Sequence, residues 1–191
     1  MIATTSDALI SPVSAQSLAD WLKMDDASDP ILPSLLLSAT DCVINWIQRD
    51  LLIREWQVTY HDWPHKRQGR NLHYGWPGYQ DGLELPYTQL VSVESVTVYG
   101  ELLDTEDYEI INGNPAKVRF KKLAQVGDGP AIVVNYKAGF EDVPQAIKKA
   151  IVMIAAYMHA HAGSCDASAA MSKSGAAVML HPYRARAGLA L

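Results

Sequence analysis

The stretch Val134-Asn135-Tyr136-Lys137-Ala138-Gly139-Phe140-Glu141-Asp142-Val143-Pro144-Gln145-Ala146-Ile147-Lys148-Lys149-Ala150-Ile151 changes its hydrophobic period midway. Its first residues alternate apolar and polar, which predicts a strand over 131–136. Gly139 permits a sharp exit from that strand, and Pro144 suits the opening of a helix. Beyond it, Ile147, Ala150, Ile151, Ile154, Ala155 and Met158 fall on one helical face. The chain therefore leaves a β region here and enters a helix.

Upstream, strand-like runs occupy 83–85, 91–99, 108–111 and 116–120, and Trp56, Val58 and Tyr60 alternate with Gln57, Thr59 and His61. Turn signals separate them at Asn112-Gly113-Asn114-Pro115 and Gly127-Asp128-Gly129-Pro130. Pro86 after Leu85 ends a strand because proline cannot donate to a ladder. The apolar face changes near Glu94, which predicts a bulge. Together these runs predict a small antiparallel sheet or sandwich.

Helices precede it. Ser14 caps a helix predicted over 15–23, with Leu18, Trp21 and Leu22 in register. The acidic turn around Asp25, Asp26 and Asp29 breaks it. A second helix, with Pro33 in its first turn, carries Leu32, Leu35, Leu36, Ala39, Val43, Trp46 and Ile47 and ends near Arg49. Residues 162–175 are small, polar and rich in Gly, Ser and Ala, which reads as a loop or mobile segment. A short helix over 176–180 then meets His181-Pro182-Tyr183-Arg184. The fold class is α+β: a helical frame with an inserted antiparallel sheet or sandwich. The expected organisation is N-terminal helices at 1–50, the β insertion at 51–140, helices completing the frame at 141–180 and an extended tail at 181–191.

Composition narrows the function. The 191 residues are 49% hydrophobic and 19% charged, enough for a substantial core. The longest apolar run, 150–158, is far short of the ~20 residues of a membrane span, so no membrane association is expected. A formal net charge of -5 argues against a general basic field for gripping nucleic acid phosphates. Two cysteines, Cys42 and Cys165, are too few for a disulfide framework.

No phosphate loop, nucleophile elbow or paired-cysteine motif is present. His159 and His161 lack the i, i+4 spacing of helical zinc ligands, and His61, His65 and His73 flank a loop. Asp25, Asp26 and Asp29 lack the glycine and closing glutamate of a calcium loop. Neither enzymatic activity nor a cofactor or metal is expected. The densest oddity is the loop from Trp63 to Tyr79, where Trp63, Tyr74, Trp76 and Tyr79 interleave with Lys66, Arg67 and Arg70. Three readings stand: a loop folded over its own sheet, a protein contact anchored by aromatics and arginine, or stacking on nucleic acid.

Several patterns occur in a recognisable order. Pro12-Val13-Ser14 precedes a helix ending Leu22-Lys23-Met24-Asp25-Asp26. Leu85-Pro86 is followed by Leu90-Val91-Ser92-Val93-Glu94-Ser95-Val96, and later by Tyr108. Then come Val134-Asn135-Tyr136-Lys137-Ala138-Gly139-Phe140, Val143-Pro144 with Ile147-Lys148 and Ala150-Ile151, and finally Leu180, Pro182, Tyr183 and Arg184. This series resembles the head-tail connector (adaptor) proteins of tailed bacteriophages, the head-completion family in its long form with a β insertion. The loop between Trp63 and Tyr79 departs from that pattern.

The resemblance implies a structural virion protein in the neck between head and tail, made in the bacterial host cytoplasm. It implies a homo-oligomeric ring, usually a dodecamer, beneath the portal protein. The ring extends the DNA channel and gives a platform to a stopper or tail-completion protein, while packaged DNA passes through the lumen without sequence-specific binding. The alternatives are another neck component, such as a stopper or tail terminator, and a carbohydrate-binding β domain. Pro182 halts the last helix, so the tail is expected to be extended. Leu180, Pro182, Tyr183, Arg184, Arg186, Leu189 and Leu191 then become candidates for binding the portal, in line with the C-terminal docking the resemblance implies.

Overall fold

The structure, a computed structural model, describes residues 1–61, 82–87, 89–121, 131–162 and 166–185. Strands β1 (Ile2–Thr4), β2 (Arg54–Tyr60), β3 (Leu83–Glu84), β4 (Leu90–Val98), β5 (Glu101–Leu102), β6 (Tyr108–Ile111), β7 (Lys117–Phe120) and β8 (Ile132–Ala138) form two antiparallel sheets. One has the order β1-β2-β8-β4-β5 and the other β3-β7-β6. The helices are α1 (Ala15–Leu22), α2 (Ile31–Ile47), α3 (Gln145–Ala160), α4 (Ala167–Lys173) and α5 (Ala176–Leu180). The fold is α+β.

The chain divides into two compact units. The first contains Met1–Asp7 and Ile53–Gly139, and the second Ala8–Leu52 and Phe140–Ala185. In the first, period-two alternation turns Trp56, Val58 and Tyr60 of β2, Val96 and Val98 of β4, and Ile132, Val134 and Tyr136 of β8 inward. They share one apolar core with Leu83, Tyr108, Val118 and Phe120 of the three-stranded sheet. The bulge expected at Glu94 is present: the register of β4 on β8 shifts between Val93 and Ser95, and again between Leu90 and Ser92. Two strands were not anticipated. β5 follows from Tyr99 and Gly100, whose φ values of 48° and 86° make a two-residue turn of the twist that hairpins favour. β1 is three residues long, too short to display a period, and pairs with β2 from Ile2 opposite Thr59 to Thr4 opposite Gln57. The first residues thus belong with the sheets rather than with the helices expected over 1–50.

In the second unit, α3 is central and packs against α1, α2, α4 and α5. Leu32, Leu36, Val43 and Ile47 of α2 and Ile147, Ile151 and Ile154 of α3 are buried. Each such side chain contributes roughly 1.5–3 kcal/mol relative to exposure. The Ser14 hydroxyl accepts the Ser17 N–H at 3.2 Å and caps α1 as expected. Residues 162–175 correct the sequence reading, because a helix, α4, stands where a loop was expected. Asp166 caps it by accepting the Ala169 N–H at 2.6 Å, and its alanines are strong helix formers. Small residues there serve close packing, with Ala170 fully buried. Gly175, at φ 81°, then turns the chain into α5.

Candidate assembly surfaces

The C-terminal segment starts from α5. Leu180 is fully buried in the helical unit, so it is a packing residue and not an available contact; exposure at this end falls instead to Val178, 81% exposed. Residues 181–185, expected as the start of an extended tail, are not free. His181–Tyr183 forms a 3-10 turn, with Pro182 at a position where no N–H is required. Pro182 is exposed and Tyr183 half-buried. The chain then returns to the end of α2, where the Ala185 N–H donates to the Ile47 carbonyl at 2.7 Å. The last carbonyls of a helix lack partners within it, and this bond supplies one. The Arg184 guanidinium lies 5.2 Å from the centre of the Trp46 ring, at the helix end whose dipole favours a cation. Arg186, Leu189 and Leu191 lie outside the described residues, as do Trp63, Arg67, Arg70, Tyr74, Trp76 and Tyr79.

A second surface was missed by the sequence reading. Between α1 and the start of α3 runs an open groove of about 460 Å³. Pro12, Val13, Trp21 and Val152 give it apolar walls, while Lys148 and Lys149 supply charge. Trp21 was expected on the apolar stripe with Leu18. Leu18 is fully buried, yet Trp21 stays 50% exposed. Lys148 pairs with Asp142 at 3.2 Å, and Lys149 has no ion pair among the described residues. One signal was legible: α3 carries two lysines early and no acid in its first turn, where the dipole favours the opposite charge.

The middle of the outer face of the five-stranded sheet, on β2, β8 and β4, carries a polar network bonded to itself. Gln57 donates to Asn135 at 3.0 Å, and Asn135 donates to Ser95 at 2.8 Å. Lys137 sits between Glu55, at 3.3 Å, and Glu94, at 3.7 Å. The Glu55 hydrogen bond, and then the charges of both glutamates, raise the Lys137 pKa. Glu94 is held below the usual carboxylate range by the Ser92 hydroxyl and then by Lys137. These groups satisfy one another across the strands, while Ile2, opposite Thr59, and Leu102, opposite Thr97, stand exposed at the two edges of the same face.

Among the described residues no group of three or more His, Cys, Asp or Glu side chains is placed to hold a metal. The His161 ring stacks on Tyr157 at 4.0 Å, and its Nδ1 lies 2.9 Å from the Tyr157 carbonyl oxygen, an end-of-helix packing role. Trp56, 7% exposed and stacked on Tyr87, belongs to the core of its unit, while Trp46 is 37% exposed. Among the described residues no helix is long and apolar enough to cross a membrane.

No family model matches the sequence, and no curated protein matches it. Solved structures do resemble the fold over its whole length. A chain in the neck of an empty gene transfer agent particle, computed with C6 symmetry, superposes with a TM-score of 0.72 at 15% identity, covering 100% of this chain and 99% of that one. A chain in the virion of a native gene transfer agent particle gives 0.72 at 16% identity with the same coverage. A chain in the neck of the native particle, computed with C12 symmetry, gives 0.66 at 16% identity, again with the same coverage. At such identities the likeness is one of fold, and it spans both units of this chain.

Proposed function

We propose that this protein is a structural component of the neck of a tailed bacteriophage or phage-like particle, residing in the virion. Within the neck it is the head-to-tail adaptor: a ring of copies, twelve in the virion, beneath the portal protein. The ring extends the DNA channel and offers a platform to a stopper or tail-completion protein. One observation carries this reading. The likeness to chains of gene transfer agent particles, two of them in necks, is end to end, at 100% of this chain and 99% of theirs. A shared single module would have left part of one chain unmatched. The C6 and C12 symmetries of those necks support a ring. The order of sequence patterns supports the adaptor position within it. A net charge of -5 suits a lumen through which DNA slides without being gripped. The role is one of assembly, with no catalysis.

The portal contact is assigned to the chain from Pro182 onward, with Tyr183 as anchor and Arg184 and Arg186 as partners for carboxylates. The loop from Trp63 to Tyr79, outside the described residues, is carried as a candidate protein contact on its interleaved aromatics and arginines. Deleting the gene in a producing strain tests the reading. Heads should accumulate without tails, and adding the purified protein back should restore tailed particles carrying it as a ring at the head vertex. Normal tailed particles from the deletion strain would reject the neck role. Failure at tail completion with the portal-proximal ring already in place would assign the chain to a later neck position.

A further inference from the structure

The groove between α1 and α3 has a complement on the same chain. The connection between α1 and α2 carries Asp25, Asp26 and Asp29 and presents Ile31, 43% exposed, at the start of α2. This turn is held in shape locally. Asp26 accepts the Ser28 N–H at 2.8 Å and also bonds the Ser28 hydroxyl. Asp29 accepts the Ile31 N–H at 2.9 Å. An apolar tip framed by carboxylates is the negative image of an apolar groove rimmed by Lys148 and Lys149. Within one copy the two do not meet: Ile31 and Trp21 stay exposed, and Lys149 has no ion pair among the described residues.

We infer that the groove receives the 25–31 turn of a neighbouring copy of this chain. The inference rests on the proposed ring, in which each copy needs two different faces that fit each other. Ile31 seats against Trp21, Val13 and Val152, and the aspartates meet Lys148 and Lys149. Exposed charge pairs set orientation and register more than strength, so the contact is weak between free copies and closes when a template gathers them. This gives Lys149, which has no ion pair among the described residues, a carboxylate partner.

Carbodiimide coupling of a mixture of ordinary and heavy-isotope-labelled protein tests this without any particle. At about 1 mM, contacts with a Kd near that value are well populated. Mixed light–heavy peptide pairs should join Lys148 or Lys149 of one copy to Asp25, Asp26 or Asp29 of another. Lys148→Glu with Lys149→Glu removes the amines and sets like charges against each other, so coupling at these sites should vanish, which alone does not show contact. Adding Asp25→Lys and Asp26→Lys to the same chain should restore intermolecular coupling. Absence of mixed pairs at these sites, or no restoration in the fourfold charge-swapped protein, overturns the inference. The neck role is read separately: protein present in necks but uncoupled at the groove would sink only this contact. Coupling by a protein absent from necks would sink only the neck role.

Discussion

The Tyr136 hydroxyl donates to the Pro86 carbonyl at 2.6 Å, tying the central strand of the five-stranded sheet to the chain just after β3. Tyr60 repeats the device from β2, donating to the Glu84 carbonyl at 2.6 Å. Two phenols thus hold the edge strand of the smaller sheet, whose ladder to β7 has only two residue pairs. Tyr136→Phe keeps the ring and removes the bond, so it should cost about 1 kcal/mol. Urea unfolding should show a lower midpoint at unchanged slope. An unchanged midpoint would mean that the bond contributes nothing beyond the ring's packing.

Tyr60 makes the same region sensitive to alkali. Burial, and then the charge of Glu84, raise its pKa above the ordinary value of 10.0. A group with a raised folded-state pKa stabilises fully below the unfolded value and loses that contribution as pH rises beyond it. Stability should therefore fall from about pH 10 upward as the unfolded phenol ionises first. Tyr60→Phe should fall less steeply over that range. Parallel melting curves for the two proteins between pH 9 and 11 would contradict the assignment.

The helical unit separates buried from exposed positions sharply enough to test. Ile151 is fully buried on α3, and Val178 is 81% exposed on α5. Ile151→Ala should cost about 2–5 kcal/mol through lost burial and the cavity left behind. Val178→Ala should change stability by less than about 0.5 kcal/mol. Comparable losses in thermal unfolding would mean that the packing around α3 is not as described.

How much of this was legible in the sequence depended on period and length. The alternation of Trp56, Val58 and Tyr60 and the stripe from Ile147 to Met158 declared β2 and α3, since each repeats its period several times. Ile2–Thr4 and Glu101–Leu102 are too short to repeat anything, and they exist because a neighbouring strand offers an edge. The segment now occupied by α4 was misread because alanine and serine serve both linkers and closely packed helices. Asp166, three residues before the N–H it caps, was the overlooked signal. The assembly surfaces were harder to foresee. Trp21 obeys the helical register of Leu18, but α1 has only eight residues, about 12 Å, and the ring stays half exposed. Leu180, two residues before Pro182, reads in sequence as the start of the tail, whereas its burial is set by helices distant in sequence.

The segment around Arg184 permits docking and folding to be separated. Residues 181–185 are part of the helical unit through the Ala185–Ile47 bond and the Arg184–Trp46 contact. Ending the chain after Leu180 removes both and should cost about 1–2.5 kcal/mol, summing one hydrogen bond and one exposed cation–π contact. Ending it after Ala185 keeps both. The two truncations share the loss of Arg186, Leu189 and Leu191. If the segment beyond Ala185 anchors the protein to the portal, both should fail to join portal-containing heads, although only the shorter loses these two contacts. Arg184→Ala in the full chain should lose about 0.5–1 kcal/mol and weaken docking only where the guanidinium also meets a portal carboxylate. Binding of purified variants to heads, read beside their melting curves, distinguishes these cases. Normal attachment by the chain ending at Ala185 would remove the portal contact from residues 186–191 and return it to Tyr183, Arg184 or the exposed face of α5.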